Sequence, residues 1–349
     1  MHVLSVSALK GGVGKTTITL GLASAALSLG VKTLIVDLDP QANASNGLGL
    51  IGDYDPSAAE AIKKPRHSII MKSILASTWA KGQTGLLDVL VSQNRIAKLN
   101  IPNPNFRTLW KLDELLSKVQ DDYQLVIIDT PPNINALTRM AWVASDRVML
   151  VSEPSINSVI GIATATKAFN ELRRQVNRQV RLFGIVVNRL RPTLAEHQYR
   201  VNELQEIYPD LVSEIVFEEK SPLNQSQGAG RSIHSWPGQA AAKLAGNFDD
   251  LLKAVLDSFN SDETLRSEAV RVGRDTPRKS QRNRTAGRIE KPNEPKSSEK
   301  QEKPQPERVE LVETLPVSAE YEEKFQELLK QTMTEKQIKA LKEIPKEED

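Results

Sequence analysis

Two kinds of apolar pattern alternate along the first three-quarters of the chain. Short continuous apolar runs bounded by turn residues, at 3–8, 33–37, 124–129, 147–151 and 182–188, predict buried strands. Longer segments at 18–29, 109–116, 135–144, 160–176 and 240–259 predict helices. Strand and helix in alternation predict an α/β fold: a doubly wound, mostly parallel sheet with helices on both faces. Residues 43–52, rich in small side chains, read as a loop entering a short helix. Residues 55–100 read as helical and irregular, with Pro56 and Pro65 as breakers.

Between the first strand and the first helix lies Lys10-Gly11-Gly12-Val13-Gly14-Lys15-Thr16-Thr17. Strand, glycine loop and helix together predict a phosphate-binding loop. Glycines let backbone N–H groups turn inward around phosphate oxygens, and the helix N-terminus adds partial positive charge. Lys15 then neutralises the β- and γ-phosphates, and the Thr16 hydroxyl ligates Mg²⁺. Two further strands end in acids: Asp37 and Asp39 before Pro40, and Asp129 before Pro131 and Pro132. Carboxylates at the carboxyl ends of parallel strands face the ligand crevice of an open α/β sheet.

The lysine that opens the loop, Lys10, stands where ordinary phosphate loops carry glycine. With it the octet resembles the deviant Walker A loop of the ParA/MinD ATPases, and most closely that of the ParA (Soj-like) partition ATPases. The resemblance spans about residues 2–258 and implies a P-loop NTPase fold, ATP and Mg²⁺ as ligands, and ATP hydrolysis. It also implies that Lys10 reaches the nucleotide of a second subunit, so that ATP binding and homodimerisation are one event. A second cation there stabilises the charge that spreads over the γ-phosphoryl oxygens. By the same resemblance Asp39 polarises the attacking water, Asp37 and Asp129 hold the Mg²⁺ shell, and Pro131 and Pro132 belong to a switch segment that senses the γ-phosphate. Asn188 recognises the adenine edge, although an asparagine at a strand end also forms turns. The implied activity is an ATP-dependent partition or positioning ATPase. It binds double-stranded DNA without sequence preference as a dimer, is released on hydrolysis, and works with a ParB-like centromere-binding or adaptor protein. Glu153-Pro154-Ser155 resembles a loop of plasmid-type members and receives no role.

Composition narrows the field. The chain has no cysteine, which excludes the iron–sulfur relatives of this ATPase group, since their clusters need thiolate ligands. With no N-terminal signal and no run near the roughly 18 apolar residues that span a bilayer, a cytoplasmic, nucleoid-associated protein is expected. The net charge is +2, so DNA affinity has to come from local patches. Arg189, Arg191, Arg200, Lys220 and Arg231 are the candidates, with Glu218 and Glu219 diluting the charge around Lys220.

Beyond an ATPase domain at 1–260 the composition changes. Residues 271–291 carry eight Arg and Lys against Asp275 and Glu290. The span 261–318 reads as a basic, then Pro/Glu/Lys-rich disordered linker, and 319–349 as a short helical partner-binding segment. The acidic end, Lys346-Glu347-Glu348-Asp349, disfavours an anionic bilayer. It therefore speaks against the alternative of a MinD-like membrane-associated regulator of cell division. A third reading, an ATP-gated DNA-binding regulator, is weakened because the loop begins ten residues into the sequence and no helix-turn-helix precedes it.

Overall fold

The computed structural model describes residues 1–81, 85–176 and 180–274, with side chains described up to 260. Seven strands form one sheet: β1 (His2–Ser7), β2 (Thr33–Asp37), β3 (Ile74–Ala76), β4 (Leu87–Leu90), β5 (Leu125–Asp129), β6 (Arg147–Ser152) and β7 (Arg181–Val187). Their order is β3-β4-β2-β5-β1-β6-β7, with every neighbour parallel except the edge pair β3–β4. The fold is therefore the predicted one, a mostly parallel doubly wound sheet. Residues β2, β4, β5 and β6 are buried throughout, as expected when crossover helices cover both faces.

Alternation within the strands divides the core in two. Leu4, Val6, Leu125 and Ile127 face the helix Lys15–Ser28 and the helix Gln239–Arg274. Val3, Val126 and Ile128 face the helices Lys111–Leu116, Ala136–Val143 and Ile156–Val176. Gly21 lets the two helices of the first face touch. A Cβ there would lie 2.0 Å from Cε1 of Phe248, which is fully buried and stacked on Phe217 at 4.3 Å. Gly21→Ala is therefore expected to destabilise despite a helix-propensity gain of about 1 kcal/mol, because overpacking costs about 1–3 kcal/mol or more. A melting temperature at or above wild type would contradict this packing.

The structure corrects the reading of 55–100. That span contains β3 and β4 as well as the helices Ala58–Lys63 and His67–Ser73. β4 is four residues long and includes the buried Asp88, which accepts hydrogen bonds from Tyr123 Oη at 2.8 Å and from Gly85 N. The last helix also runs on past Phe259 to Arg274; no proline or glycine occurs between Phe259 and Gly273. Of the linker expected at 261–318, residues 261–274 continue this helix; the rest of it and the helical segment expected at 319–349 lie outside the described residues. Among the described residues no helix is long and apolar enough to cross a membrane.

Candidate functional site

After β1 the chain builds to one side with β2, then β3 at the edge and β4 between them, inserts β5 beside β1, then continues with β6 on the other side of β1. The reversal places the carboxyl ends of β1, β2, β5 and β6 around one crevice, the usual ligand position in such sheets. Each predicted acid and the glycine loop sit at this edge.

The loop joins β1 to the helix Lys15–Ser28. Gly12 and Gly14 have φ of 82° and 96°, a left-handed geometry that side chains resist. Gly14 is doubly constrained, since a Cβ would meet Asn188 Nδ2 at 2.1 Å. Gly14 caps the helix without a side-chain hydrogen bond, and the first turn holds no acid. Its leading N–H groups thus have no side-chain acceptor in that turn, the arrangement an anion fits. Val13 is fully buried and anchors the loop in the core.

Lys15 is 7% exposed. Burial pulls its ammonium below the ordinary lysine range, while the charges of Asp129 and Asp39 oppose the shift. Thr16 Oγ1 donates to Asp129 Oδ2 at 2.7 Å, and Thr19 Oγ1 donates to Asp129 Oδ1 at 3.3 Å. Asp37 is the register partner of Asp129 across β2 and β5. It accepts hydrogen bonds from Asp39 N at 3.0 Å, and from Ser45 N and Ser45 Oγ at 2.8 Å each. Asp39 accepts from Gln41 N at 2.9 Å, and its own carbonyl accepts from Ser92 Oγ at 2.7 Å.

Asp37 and Asp129 are both fully buried. Burial first, and then the charge of Asp129, raises Asp37 to about 7; burial above all raises Asp129 to about 6. Two desolvated carboxylates side by side are a setting that a cation would stabilise. Among the described residues no cluster of three or more acidic, His or Cys side chains forms a metal cage. Two acids and the Thr16 hydroxyl suit Mg²⁺, which takes one or two carboxylates and fills its octahedron with phosphate oxygens and water.

The raised pair fixes a pH dependence of stability. In the unfolded chain both groups titrate near 3.8, so the nucleotide-free folded state binds the extra proton between that value and about 7. Stability from the pair is full below the unfolded value and is lost as pH rises through the folded values. Melting of the nucleotide-free protein is expected to rise from pH 8 to pH 6 by ~1 kcal/mol for one proton taken up. Asp37→Asn should flatten the slope. A wild-type slope that is flat, or equal to the variant's, would contradict the assignment.

Lys10 does not join the acids that surround Lys15. Its Nζ forms an ion pair with Glu153 Oε1 and donates to Ser155 Oγ at 3.3 Å. Asn188 is buried and its Nδ2 donates to the Val13 carbonyl at 2.8 Å; this amide N–H is engaged with the phosphate loop. Of the basic candidates, Arg191 pairs with Glu219, Lys220 with Glu218 at 2.8 Å, and Arg200 with Glu196 and Glu203. Arg231 donates to the Ser235 carbonyl and lies over Trp236. The bridge Leu190–Glu218 brings the Arg189–Arg191 and Glu218–Lys220 segments together, and their paired charges leave little excess of positive charge.

Sequence reasoning passed over Ser45 and Thr19, and it noted Glu153 and Ser155 without giving them a role. Ser45 and Thr19 carry no local signal, since each acts on an acid from another element. Glu153 did carry one, being an acid directly after a buried strand.

The AAA domain family model matches residues 1–182. A virulence plasmid ParA family protein, pGP5-D, of Chlamydia psittaci is 29% identical over 289 residues, covering 77% of this chain and all of that protein. The chromosome partitioning protein ParA of Myxococcus xanthus is 28% identical, covering 66% of this chain and 80% of the relative. Among solved structures, apo McdA of Cyanothece superposes with a TM-score of 0.63 at 18% identity, covering 73% of this chain and 99% of that one. The phosphate loop, the strand-end acids and these likenesses agree: the chain belongs to the AAA domain family and, within it, to the ParA/MinD type of P-loop ATPases.

Proposed function

We propose that this chain is an ATP-driven partition or positioning ATPase that dimerises on ATP, holds DNA without sequence preference, and lets go on hydrolysis. Its membership of the partition ATPase family is the coarse frame. The observation that carries the finer reading is the separation of the two loop lysines. Lys15 turns inward among Asp39 and Asp129, whereas Lys10 turns away to the end of β6. A lysine outside its own phosphate cradle can serve another subunit's once its ion pair with Glu153 exchanges.

On this reading Gly11 to Thr17 wrap the phosphates of ATP, Lys15 neutralises them, and Thr16, Asp37 and Asp129 hold Mg²⁺. The metal, when bound, draws charge from the phosphate oxygens. Asp39, only 8% exposed and fixed by its bond to Gln41 N, orients the attacking water. Asn188 fixes the loop through Val13, and its amide oxygen would accept from the adenine exocyclic amine. A partner's Lys10 supplies the last cation as charge develops. Pro131 and Pro132 follow Asp129 after Thr130, and Asn133 Oδ1 accepts from Asn100 Nδ2 at 3.3 Å, so the segment that senses the γ-phosphate is tied to Asn100. Arg191 and Lys220 join the DNA face with Arg189 and Arg231 only after Glu219 and Glu218 exchange for phosphate, so affinity should fall steeply with salt. A ParB-like protein couples this cycle to its cargo.

Two measurements test the reading. Lys10→Ala is expected to keep ATP binding and to lower phosphate release by about 100-fold, the scale of a lost transition-state donor; unchanged turnover would overturn it. Binding of the full chain to random-sequence duplex is expected with ATP and not with ADP, weakening across a salt series. Nucleotide-independent binding would remove the switch.

A further inference from the structure

A buried chain of hydrogen bonds ties the strand that feeds the phosphate loop to the segment that follows Asp129. Ser7 ends β1, three positions before Lys10. Alternation along β1 turns its side chain to the face of Val3 and of the helices Ala136–Val143 and Ile156–Val176. There Trp142 Nε1 donates to Ser7 Oγ at 3.0 Å. Ser7 Oγ also lies 3.1 Å from Thr130 Oγ1, which donates to the Val6 carbonyl at 3.0 Å. A threonine hydroxyl has one proton. Every proton is used when Trp142 gives to Ser7, Ser7 to Thr130, and Thr130 to the carbonyl. All three side chains are buried, so water does not replace a lost partner and an orphaned group is costly. Thr130 and Trp142 stand on either side of residues 131–135, of which Pro132 is exposed. Thr138, on the same helix as Trp142, donates to the Asn133 carbonyl at 2.5 Å. Trp142 is itself wedged edge-on against Phe169 of the next helix, with ring centroids 5.7 Å apart.

We propose that Ser7 is a positioning residue that holds residues 131–135 in register with the phosphate loop, through Thr130 at one end of that segment and Trp142 beyond the other. The role rests on the reading above of Pro131 and Pro132 as the segment that senses the γ-phosphate. One hydroxyl on β1 thereby fixes two elements that lie 123 and 135 residues further along the chain. Without it the helix Ala136–Val143 keeps its apolar packing and loses its polar tie to β1. The segment is then free to settle out of reach of the γ-phosphate. The phosphate cradle stays whole, because Thr16 and the loop are held by contacts of their own to Asp129 and Asn188. Binding of ATP should survive the loss of Ser7 Oγ, and turnover should not.

Full-length S7A and W142F, compared with wild type by steady-state phosphate release and thermal melting, test the proposal. S7A is expected to lower kcat about fivefold, the scale of one lost hydrogen bond, with KM for ATP within about twofold of wild type. W142F removes the indole donor without orphaning it and keeps an aromatic ring in place. Its kcat should fall by a smaller factor, since Ser7 still holds Thr130. The double variant should be no slower than S7A alone, because both changes act through one hydroxyl. A lower melting temperature with kcat unchanged makes the chain of bonds purely structural and overturns the proposal, as does a raised KM with kcat unchanged. Losses that multiply in the double variant overturn the shared hydroxyl. If S7A does not fold, W142F decides alone, and a wild-type kcat in it overturns the proposal. Wild type that binds ATP and releases no phosphate overturns the ATPase reading itself, and the role of Ser7 with it.

Discussion

Replacing Lys15 with alanine is expected to weaken ATP binding by about 100-fold or more. The ammonium is almost wholly buried and faces Asp129 and Asp39, so it meets the nucleotide with little water between. A charge-assisted contact in such a site is worth about 1.5–3 kcal/mol, and leaving phosphate charge beside two unneutralised acids adds to that loss. Each 1.4 kcal/mol is tenfold in affinity. Titration with a fluorescent ATP analogue reads the effect directly. Wild-type affinity in Lys15→Ala would refute the phosphate-loop assignment. The neutral variant Lys15→Met separates packing from charge: it fills the volume and should bind as poorly as alanine.

Asp39 should separate binding from turnover. Asp39→Asn is expected to bind ATP near wild-type affinity and to lose about 100-fold or more in hydrolysis, the range attributed to a positioned base or water-orienting group. The asparagine oxygen can still accept from Gln41 N, as Asp39 Oδ1 does at 2.9 Å, so the turn and its connection to Ser92 survive. Asp39→Ala removes that acceptor as well and should cost a further ~1 kcal/mol of stability. Both variants should accumulate as ATP-loaded dimers on DNA, because the step that releases them has slowed. Single-turnover phosphate release, with a parallel DNA-retention assay, checks both effects. Normal hydrolysis in Asp39→Asn would contradict the role assigned to this carboxylate.

The legibility of this fold in its sequence varies with physical scale. The five strands β1, β2, β5, β6 and β7 are largely apolar runs, because most of their residues are buried, and such runs are legible locally. β4 escaped notice because it is short and includes Asp88, whose charge is accommodated by Tyr123 from a distant turn. A buried acid satisfied from 35 residues away leaves no trace in a hydropathy pattern. The phosphate loop was legible for the opposite reason: its conformation depends on glycines within a few positions of each other. Its supports were not. Asn188 reaches Val13 across 175 residues, and Glu153 reaches Lys10 across 143. Strand order alone determines both, and strand order is the property that local patterns encode least. The basic residues were visible as charges, whereas their pairing with Glu218, Glu219, Glu196 and Glu203 required the folded chain.

The central claim is that the two lysines of one loop work in different active sites. Mixing subunits of Lys10→Ala with subunits of Lys15→Ala tests it most directly. The first variant keeps its own phosphate cradle and lacks the donated cation; the second cannot hold ATP and still carries Lys10. If Lys10 crosses to the partner, a mixed dimer contains one complete site, and phosphate release should rise well above the sum of the two variants measured alone. If both lysines act within one subunit, no mixture contains a complete site, and turnover in the mixture equal to that sum would contradict the account.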